Sequence, residues 1–451
     1  MLEITEHYQF YTDSSKHYEL LLNVRDGKFY DAFQVTHKPI LFAKSDQKKC
    51  LSISFNAESA LIESSYYIGL GWIKPWGMPV LIEPKLNESN SKLNYVQLLL
   101  EALKEPENIN HLDGLMEVNF NDEWIEVNGN KQVELTPFLI VQYLMSIRSI
   151  VRKGLKKDYY PITENLHSKV KGKILVGRQT RENLLKNKVT NTICSYQEFG
   201  TNSEVNQFLK YVLSFVRAQV ENYPSLRSSL IDILNYDMSS FEQVSLKKFH
   251  SYQKKVTNSF YKEYNVAIQL GNQILRLMDN NLSISNSEFK KHPPHWIDMS
   301  KLFELYVFKK LREKFSGSKE VTYHLKTNYQ ELDFIVKKGD FKVIVDAKYK
   351  PRYKTGNPSI SDARQLSGYS RLNSVYNELD IHGDQLIPVY IVYPKELINN
   401  TEETESNEDF EIETDANNIS LFRDQSNYRK SKTYREMYLQ EISLKSYQEN
   451  I

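Results

Sequence analysis

Two charged residues in the C-terminal third of the chain have the types and spacing that metal-assisted hydrolysis requires. Asp346 and Lys348 are separated by one residue at the end of the apolar segment FKVIVDAKY. Alternation of side chains in such a segment predicts a β-strand, and residues two apart in a strand point to the same face. A carboxylate and an ammonium group would therefore act on the same side of a sheet.

The preceding segment, ELDFIVK, supplies a second carboxylate, that of Asp333. Gly339 and Asp340 lie between the two segments and suit a two-residue type II′ turn, so the segments are predicted to pair as a hairpin. Counting back from this turn places Asp333 opposite Asp346, with Cβ atoms about 4.5–5.5 Å apart. Two carboxylates at that distance repel each other unless a cation lies between them. A turn longer by one residue would move Asp333 to the other face.

A third acid lies on the helix that is predicted before the hairpin. In the segment KLFELYVFKKL, Glu304 shares one helical stripe with Val307, Phe308 and Leu311. A carboxylate on a buried stripe is costly unless it is paired or bound to a metal. Glu304 is therefore predicted to complete a metal site.

These residues suit the hydrolysis of a phosphodiester. Glu304, Asp333 and Asp346 are predicted to bind Mg²⁺ together with the backbone carbonyl of Ala347, and Mn²⁺ is an alternative ion. The ion would activate water and neutralise phosphate charge, while Lys348 would orient or deprotonate the nucleophile and stabilise the developing oxyanion. The basic residues that follow are expected to hold a nucleic-acid backbone: Lys350, Arg352 and Lys354.

The next predicted helix carries Gln365 and Tyr369, which lie four residues apart and so on one face. They could contact a phosphate or support Lys348, although a surface pair explains the spacing almost as well. Each acid taken alone also has a structural explanation, since Asp-x-Lys at a strand end is common. The complete set in suitable elements favours the catalytic interpretation.

The elements predicted around these residues alternate helix and strand, which indicates an α/β fold. In chain order they are a helix at about 299–314, strands at about 332–337 and 341–349, a helix at about 361–377, a strand at about 386–393 and a last polar helix near 432–447. Upstream, runs rich in Val, Ile, Tyr and Phe indicate β structure to about residue 130. Helical spacing begins at Pro137, with further helices at about 203–221, 225–236 and 246–279.

The chain of 451 residues therefore divides into four predicted parts. Residues 1–135 form a β-rich N-terminal domain and residues 136–290 a helical, basic middle region. Residues 291–396 form the α/β core, and residues 397–451 comprise an acidic insertion and a C-terminal helix.

The composition is that of an ordinary globular protein, with 40% hydrophobic and 25% charged residues, which excludes disorder of the whole chain. Two cysteines, Cys50 and Cys194, are too few for a disulfide framework or a zinc site, as expected in a reducing cytoplasm. The N-terminus lacks the pattern of a signal peptide, and no apolar run approaches the roughly 18 residues that span a bilayer. We therefore expect a cytoplasmic protein with no membrane partner.

The net charge of +1 hides an uneven distribution of charge. Residues 148–188 contain 12 Lys or Arg and 3 acids, whereas residues 402–415 contain 8 acids and no base. Lys153, Lys156 and Lys157 in the basic run are candidate DNA contacts, and a solvated surface explains the run equally well. For the acidic run we expect a flexible loop.

The α/β core resembles the PD-(D/E)xK nuclease superfamily, whose core consists of a helix, a three-stranded meander, a helix and a strand. The matches are Glu304 to the first-helix acid, Asp333 to the first-motif acid, Asp346 and Lys348 to the (D/E)xK pair, and Gln365 and Tyr369 to the Q-x-x-x-Y of the following helix. Leu332 stands where the motif has proline, a frequent variation. The resemblance implies a metal-dependent endonuclease.

Upstream segments are similar to the McrC-like subunits of McrBC-type restriction systems. The similarity is carried by IGLGWIKPWGMPVLIEPKL, ENLHSKVKGKILV and CSYQEFGTNSEVNQFLKYVL, and it extends over about residues 60–400. It implies modification-dependent cleavage of double-stranded DNA together with a McrB-like AAA+ NTPase hexamer, expected to be a GTPase, which the N-terminal domain binds and stimulates. The chain contains no P-loop motif, in agreement with a separate motor.

Two other functions remain open at this point. The chain could be a non-catalytic adaptor that activates an AAA+ ring, with the nuclease fold serving as a platform. It could also be a stand-alone restriction or repair nuclease. The intact set of acids argues against the adaptor.

Overall fold

The computed structural model describes most of the chain. The described residues are 1–7, 9–11, 40–41, 49–55, 60–73, 77–87, 91–128, 135–222, 224–283, 289–317, 319–327, 330–350, 358–383, 385–395, 421–422 and 428–447. Arg352, Lys354 and the acidic run 402–415 lie outside them. No helix in the described part has the length and apolar character that crossing a membrane would require.

The described elements are helices and strands in a mixed α/β order. Helices α1–α9 are Tyr95–Ala102, Thr136–Lys153, Val176–Glu182, Glu204–Asn222, Pro224–Ser240, Glu263–Ser283, Met299–Lys314, Ile360–Tyr369 and Asn373–Leu379. Strands β1–β22 are Leu2–Thr5, Gln9–Tyr11, Ile40–Leu41, Lys49–Phe55, Ala60–Ser64, Tyr67–Ile73, Met78–Glu83, Lys92–Leu93, Met116–Val118, Ile125–Asn128, Asp158–His167, Lys173–Ile174, Asn191–Gly200, Phe289–His292, His295–Asp298, Val321–Thr327, Gln330–Lys338, Phe341–Ala347, Val389–Pro394, Tyr428–Lys430, Met437–Ile442 and Ser446–Tyr447.

Contacts within the chain define two compact units. Unit 1 comprises Met1–Val133 and Glu288–Ile451, and unit 2 comprises Glu134–Ser287. Unit 1 therefore joins the β-rich N-terminal part to the predicted α/β core. Their connection is visible in the five-stranded sheet of order β1-β7-β6-β15-β9, where β15, which follows unit 2 in sequence, pairs with β6 and β9.

The candidate core of unit 1 is a six-stranded sheet of order β16-β17-β18-β19-β21-β20. The pairs β16–β17 and β17–β18 are antiparallel, and β18–β19 and β19–β21 are parallel. Every residue of β19 is buried, as expected of a central strand covered on both faces.

Helices cover both faces of this sheet. On one face Phe308 of α7 stacks on Tyr323 and Phe334, with ring centroids 4.8 and 5.9 Å away. On the other face an apolar cluster joins the sheet to α8 and α9, and includes Ile344 and Leu366. The site residues on the sheet thus lie between two packed layers.

The turn between β17 and β18 has the predicted length and geometry. Gly339 has φ +57°, whereas Asp340 is not among the residues with positive φ, as in a type II′ turn. The register is confirmed, since Lys338 pairs with Phe341 and the pairing continues to Phe334 opposite Val345.

Local sequence explains why the two site helices begin where they do. The side chain of Asp298 caps α7 by accepting a hydrogen bond from the Lys301 backbone N–H at 3.0 Å. The Ser359 side chain caps α8 by accepting from the Asp362 N–H at 3.2 Å. Each helix is therefore anchored at its first turn.

Unit 2 contains helices α2–α6, as predicted for a helical region, but it also contains a three-stranded sheet of order β11-β13-β12. The prediction was incomplete here because most side chains of β11 and β13 are not buried, so the sequence carries no regular apolar alternation. The helix predicted at 246–279 begins only at Glu263.

Two predictions in the C-terminal part of unit 1 were wrong. The segment expected to be a last helix near 432–447 forms β21 and β22, and β21 extends the six-stranded sheet by pairing with β19. The polar residues of this segment suggested an exposed helix, but Gln440 is buried in the paired strand. The helix predicted at 361–377 is two helices, α8 and α9, which are separated at residues 370–372.

Candidate active site

Asp333 and Asp346 meet at the end of the β17–β18 hairpin. They occupy the position after the last regular pair, Phe334–Val345. Asp346 is 2% exposed, and the Asp333 carboxylate accepts a hydrogen bond from the Ala347 backbone N–H at 2.9 Å. The structure thus places the two predicted acids side by side.

Lys348 lies against Asp346 and begins a chain of hydrogen bonds. Its Nζ is 3.0 Å from Asp346 Oδ2 and donates to Oδ1 at 3.3 Å. It also donates to Gln365 Oε1 at 3.1 Å, and Gln365 Nε2 in turn donates to the Tyr369 hydroxyl at 2.8 Å. The Tyr369 hydroxyl donates to the carbonyl oxygen of Glu331 at 3.2 Å. Gln365 and Tyr369 therefore support the lysine rather than form an isolated surface pair.

The electrostatics of the three groups are coupled. Burial raises the pKa of Asp333 well above its usual value, and the neighbouring Asp346 and Glu304 raise it further. Burial also raises the pKa of Asp346, against the opposing effect of Lys348. Burial alone would lower the pKa of Lys348, but the two aspartates raise it above its usual value. Lys348 is therefore held as an ammonium ion.

Glu304 lies near Asp333 and Asp346, and its carboxylate contacts a histidine of β16. It is close enough to raise the pKa of both aspartates. Its Oε1 pairs with His324 Nε2, and His324 Nδ1 lies 3.1 Å from Glu331 Oε1. The imidazole therefore connects the helix acid to an acid of β17.

The backbone is irregular where these residues meet. His324 has φ +56°, which is uncommon for a residue with a side chain. The β16–β17 pairing is regular at Tyr323 and at Leu325 but is interrupted at His324 and Asp333 between them. His324 and Glu331 were not predicted as site residues, because a histidine within a strand carries no distinguishing signal in the sequence.

The donor set fits a hard divalent cation. The Oδ2 atom of Asp346 is buried, and although the Lys348 ammonium lies 3.0 Å away, it accepts no hydrogen bond from the described residues. A second carboxylate, that of Asp333, lies beside it. As they stand, however, no three His, Cys, Asp or Glu side chains in the described part of the chain form a group that could hold a metal ion. Glu304, the predicted third ligand, instead contacts His324.

Three of the four described lysines among the predicted DNA contacts have acidic partners within the protein. Lys350 Nζ is 3.0 Å from the Asp362 carboxylate, at the start of α8. In unit 2, Lys153 pairs with Glu263 and Lys156 pairs with Asp158. Lys157 is exposed.

Comparison with known proteins identifies a matching protein family. Residues 67–381 match the family described as McrBC 5-methylcytosine restriction system component. No curated protein is similar enough to give a match.

Two solved structures are similar to the chain at low sequence identity. One is a refined half-complex from a tetradecameric assembly of Thermococcus gammatolerans McrB AAA+ hexamers with bound McrC, at 15% identity and a TM-score of 0.36, with 98% of this chain and 94% of that chain covered. The other is the Thermococcus gammatolerans McrBC complex, at 14% identity and a TM-score of 0.27, with 68% and 86% covered.

The family match spans more than half of the chain and includes the candidate site, from Glu304 to Tyr369. The chain therefore belongs to the McrBC 5-methylcytosine restriction system components, as its similarity to McrC-like subunits predicted.

Proposed function

We propose that this chain is the DNA-cleaving subunit of its restriction system and hydrolyses phosphodiesters with Mg²⁺, for which Mn²⁺ can substitute. One observation carries the proposal. Asp333 and Asp346 are brought together at a strand end where burial raises the pKa of both, with Lys348 paired to Asp346. Perturbed acids that share a site with a cationic side chain are typical of catalytic centres.

Asp333 and Asp346 would hold the cation, with the backbone carbonyl of Ala347 as a further ligand. Glu304 would join them once its side chain turns from His324. A bound divalent ion supplies Lewis acidity, which favours attack of water on phosphorus and neutralises charge on the phosphate.

Lys348 acts through its charge. In the metal-free site the aspartates raise the pKa of Lys348, which favours its ammonium form. An ammonium group held by Asp346 and Gln365 can stabilise the charge that develops on the phosphate oxygens. The hydrogen bonds through Gln365 to Tyr369 keep Lys348 in place during the reaction.

The candidate DNA contacts would require several lysines to leave their acidic partners. Lys350 would exchange the Asp362 carboxylate for a phosphate, and Arg352 and Lys354, which lie outside the described residues, would continue the contact. Lys157 is exposed, whereas Lys153 and Lys156 would first have to leave their acidic partners. Phosphate contacts of this kind give affinity without sequence specificity.

The substrate and the partner follow from family membership. We infer that the substrate is double-stranded DNA that carries a modified base such as 5-methylcytosine. A McrB-like AAA+ NTPase hexamer, which uses GTP, would drive translocation, and residues 1–135 would bind and stimulate it. The absence of a P-loop motif from the sequence supports this division of labour.

The test is a cleavage assay with the full chain, its NTPase partner, GTP, Mg²⁺ and duplex DNA containing 5-methylcytosine. Asp346→Asn removes one ligand charge with little change in shape, and we expect cleavage to fall about a thousandfold or more. Asp237→Asn, which alters a buried aspartate of unit 2, is the matched control and should cleave as the wild type does. Stimulation of GTP hydrolysis should persist in both variants.

Other outcomes select other functions. Wild-type cleavage by Asp346→Asn would show that the site is assigned wrongly. GTPase stimulation without any cleavage by the wild-type chain would favour the adaptor, an alternative that the pairing of Glu304 with His324 keeps open. Full cleavage without the partner would indicate a stand-alone nuclease.

A further inference from the structure

Lys85 is distant from the candidate site in sequence but contacts the residue that follows Lys348. It lies in the turn after β7, and its ammonium group donates a hydrogen bond to the carbonyl oxygen of Tyr349. The same ammonium lies 3.9 Å from the centre of the Tyr349 ring. One lysine of the N-terminal part therefore holds both the backbone and the side chain of Tyr349.

Tyr349 connects two elements of the site. The Lys350 N–H donates to the carbonyl oxygen of Lys348 at 2.7 Å, so the chain turns tightly with Tyr349 at the centre of the turn. The Tyr349 ring is 2% exposed and packs 5.7 Å from the ring of Phe303, which precedes Glu304 on α7. A displacement of Tyr349 would therefore move Lys348 directly and Glu304 through Phe303.

Glu6 holds Lys85 in place. It is 1% exposed and follows β1, where its backbone N–H donates to the carbonyl of Glu83 at 2.9 Å. The Glu6 carboxylate accepts a hydrogen bond from the Lys85 backbone N–H at 3.2 Å and interacts with the Lys85 charge. The buried acid therefore fixes the backbone from which the Lys85 side chain extends to Tyr349.

We propose that Lys85 is a positioning residue of the nuclease site, which holds the turn at Tyr349 and through it sets the positions of Lys348 and Glu304. This inference rests on the proposed nuclease function. It makes the β-rich N-terminal part a component of the active centre as well as the predicted partner-binding region. Residues that orient catalytic groups without contacting the substrate or the metal typically contribute about ten- to a hundredfold to activity.

The test compares Lys85→Met with the wild type in the complete system. Methionine keeps the aliphatic length and removes the ammonium group. We expect kcat for cleavage to fall about ten- to a hundredfold while KM for DNA changes less than about twofold, since Lys350 is one of several proposed DNA contacts. Hydrogen exchange at the Lys350 amide should accelerate, because its hydrogen bond to the carbonyl oxygen of Lys348 depends on the turn.

Two further variants separate positioning from a general loss of stability. Lys85→Arg should restore most of kcat, because a guanidinium group can donate to the Tyr349 carbonyl and stack on its ring. Lys104→Met alters another lysine of the N-terminal part, whose partner is Glu101 at 2.8 Å, and it should retain wild-type kcat and exchange.

If Lys85→Met does not fold, Glu6→Gln is the milder variant. Burial already raises the pKa of Glu6 to about 7, so a neutral side chain is tolerated there, and kcat should fall by about threefold. Wild-type kcat and exchange in whichever variant folds would overturn the positioning role and leave the nuclease intact. Absence of cleavage by the wild-type chain would instead overturn the proposed function.

Discussion

Unit 1 and unit 2 each bury an aspartate, in different surroundings. Asp346 of β18 is 2% exposed and Asp237 of α5 is 0% exposed. Burial raises the pKa of both, that of Asp237 to about 7. Asp346 lies beside Asp333 and Lys348, whereas neither carboxylate oxygen of Asp237 has a hydrogen-bond partner among the described residues.

The unfavourable burial of a carboxylate is offset differently in the two units. In unit 1 a fixed ammonium group offsets one negative charge, and the second carboxylate makes the pair suitable for a cation. In unit 2 the charges of Arg148 and Arg152 lower the pKa of Asp237 only partly, so protonation is the main relief. A raised pKa alone therefore does not distinguish the two aspartates, whereas a second acid and a bonded lysine are present only beside Asp346.

After Asp346→Asn, the largest expected effect comes from removing the fixed ammonium group with Lys348→Met. Cleavage should fall about a hundred- to a thousandfold, because the developing phosphate charge loses its nearest cation. The free energy of unfolding should also fall, since Asp346 would remain buried without its partner. Single-turnover cleavage and urea unfolding measure the two effects.

Lys342→Met is the matched control for that experiment. Lys342 lies on the same strand, and its Nζ donates to the carbonyl oxygen of Asp380 at 2.7 Å, away from Asp346. It should cleave within about twofold of the wild type. Equal losses of cleavage in the two variants would mean that Lys348 serves only the fold, and would remove the distinction between the two buried aspartates.

The next effect concerns Asp237 and pH. Its pKa is about 7 in the folded chain against a usual value of 3.8, so its contribution to stability is fully present below about pH 4 and is lost as the pH rises through about 7. Asp237→Asn lacks this loss. Relative to the wild type, the unfolding free energy of the variant should rise by about 4 kcal/mol between about pH 4 and about pH 8.

Urea unfolding of both proteins across this pH range measures the difference. A difference that stays constant with pH would mean that Arg148 and Arg152 keep Asp237 charged, and the two regions would then resemble each other. Cleavage should be the same in variant and wild type at each pH, because Asp237 belongs to unit 2 and has no place in the proposed mechanism.

Elements with local signals were predictable from the sequence. Helix α7 was predicted at about 299–314 and spans Met299–Lys314, since Asp298 caps it and an apolar stripe runs along it. The hairpin register was predictable because Gly339 and Asp340 fix the loop length. These features depend on neighbours in the sequence.

Features set by distant contacts were not predictable. Glu304 was predicted to complete the metal site, but no sequence pattern indicates its contact with His324 or the backbone conformation of that histidine. Strand β21 carries polar residues such as Gln440, and it is buried only because β19 lies beside it. The contact of Lys85 with Tyr349 joins residues from two separate parts of the chain.

The smallest expected effect comes from altering the turn that brings Asp333 to Asp346. The position of Asp237, which lies on a helix, depends on no such turn. Gly339 has φ +57°, and a Cβ added there would meet no atom within 4 Å, so Gly339→Ala introduces backbone strain alone. We expect a loss of about 1 kcal/mol in unfolding free energy. Gly368→Ala in helix α8 also enters open space but without a positive φ, and should gain about 0.5 kcal/mol. Urea unfolding of both variants checks the opposite signs. If Gly339→Ala is as stable as the wild type, the hairpin register depends on strand packing rather than on the turn.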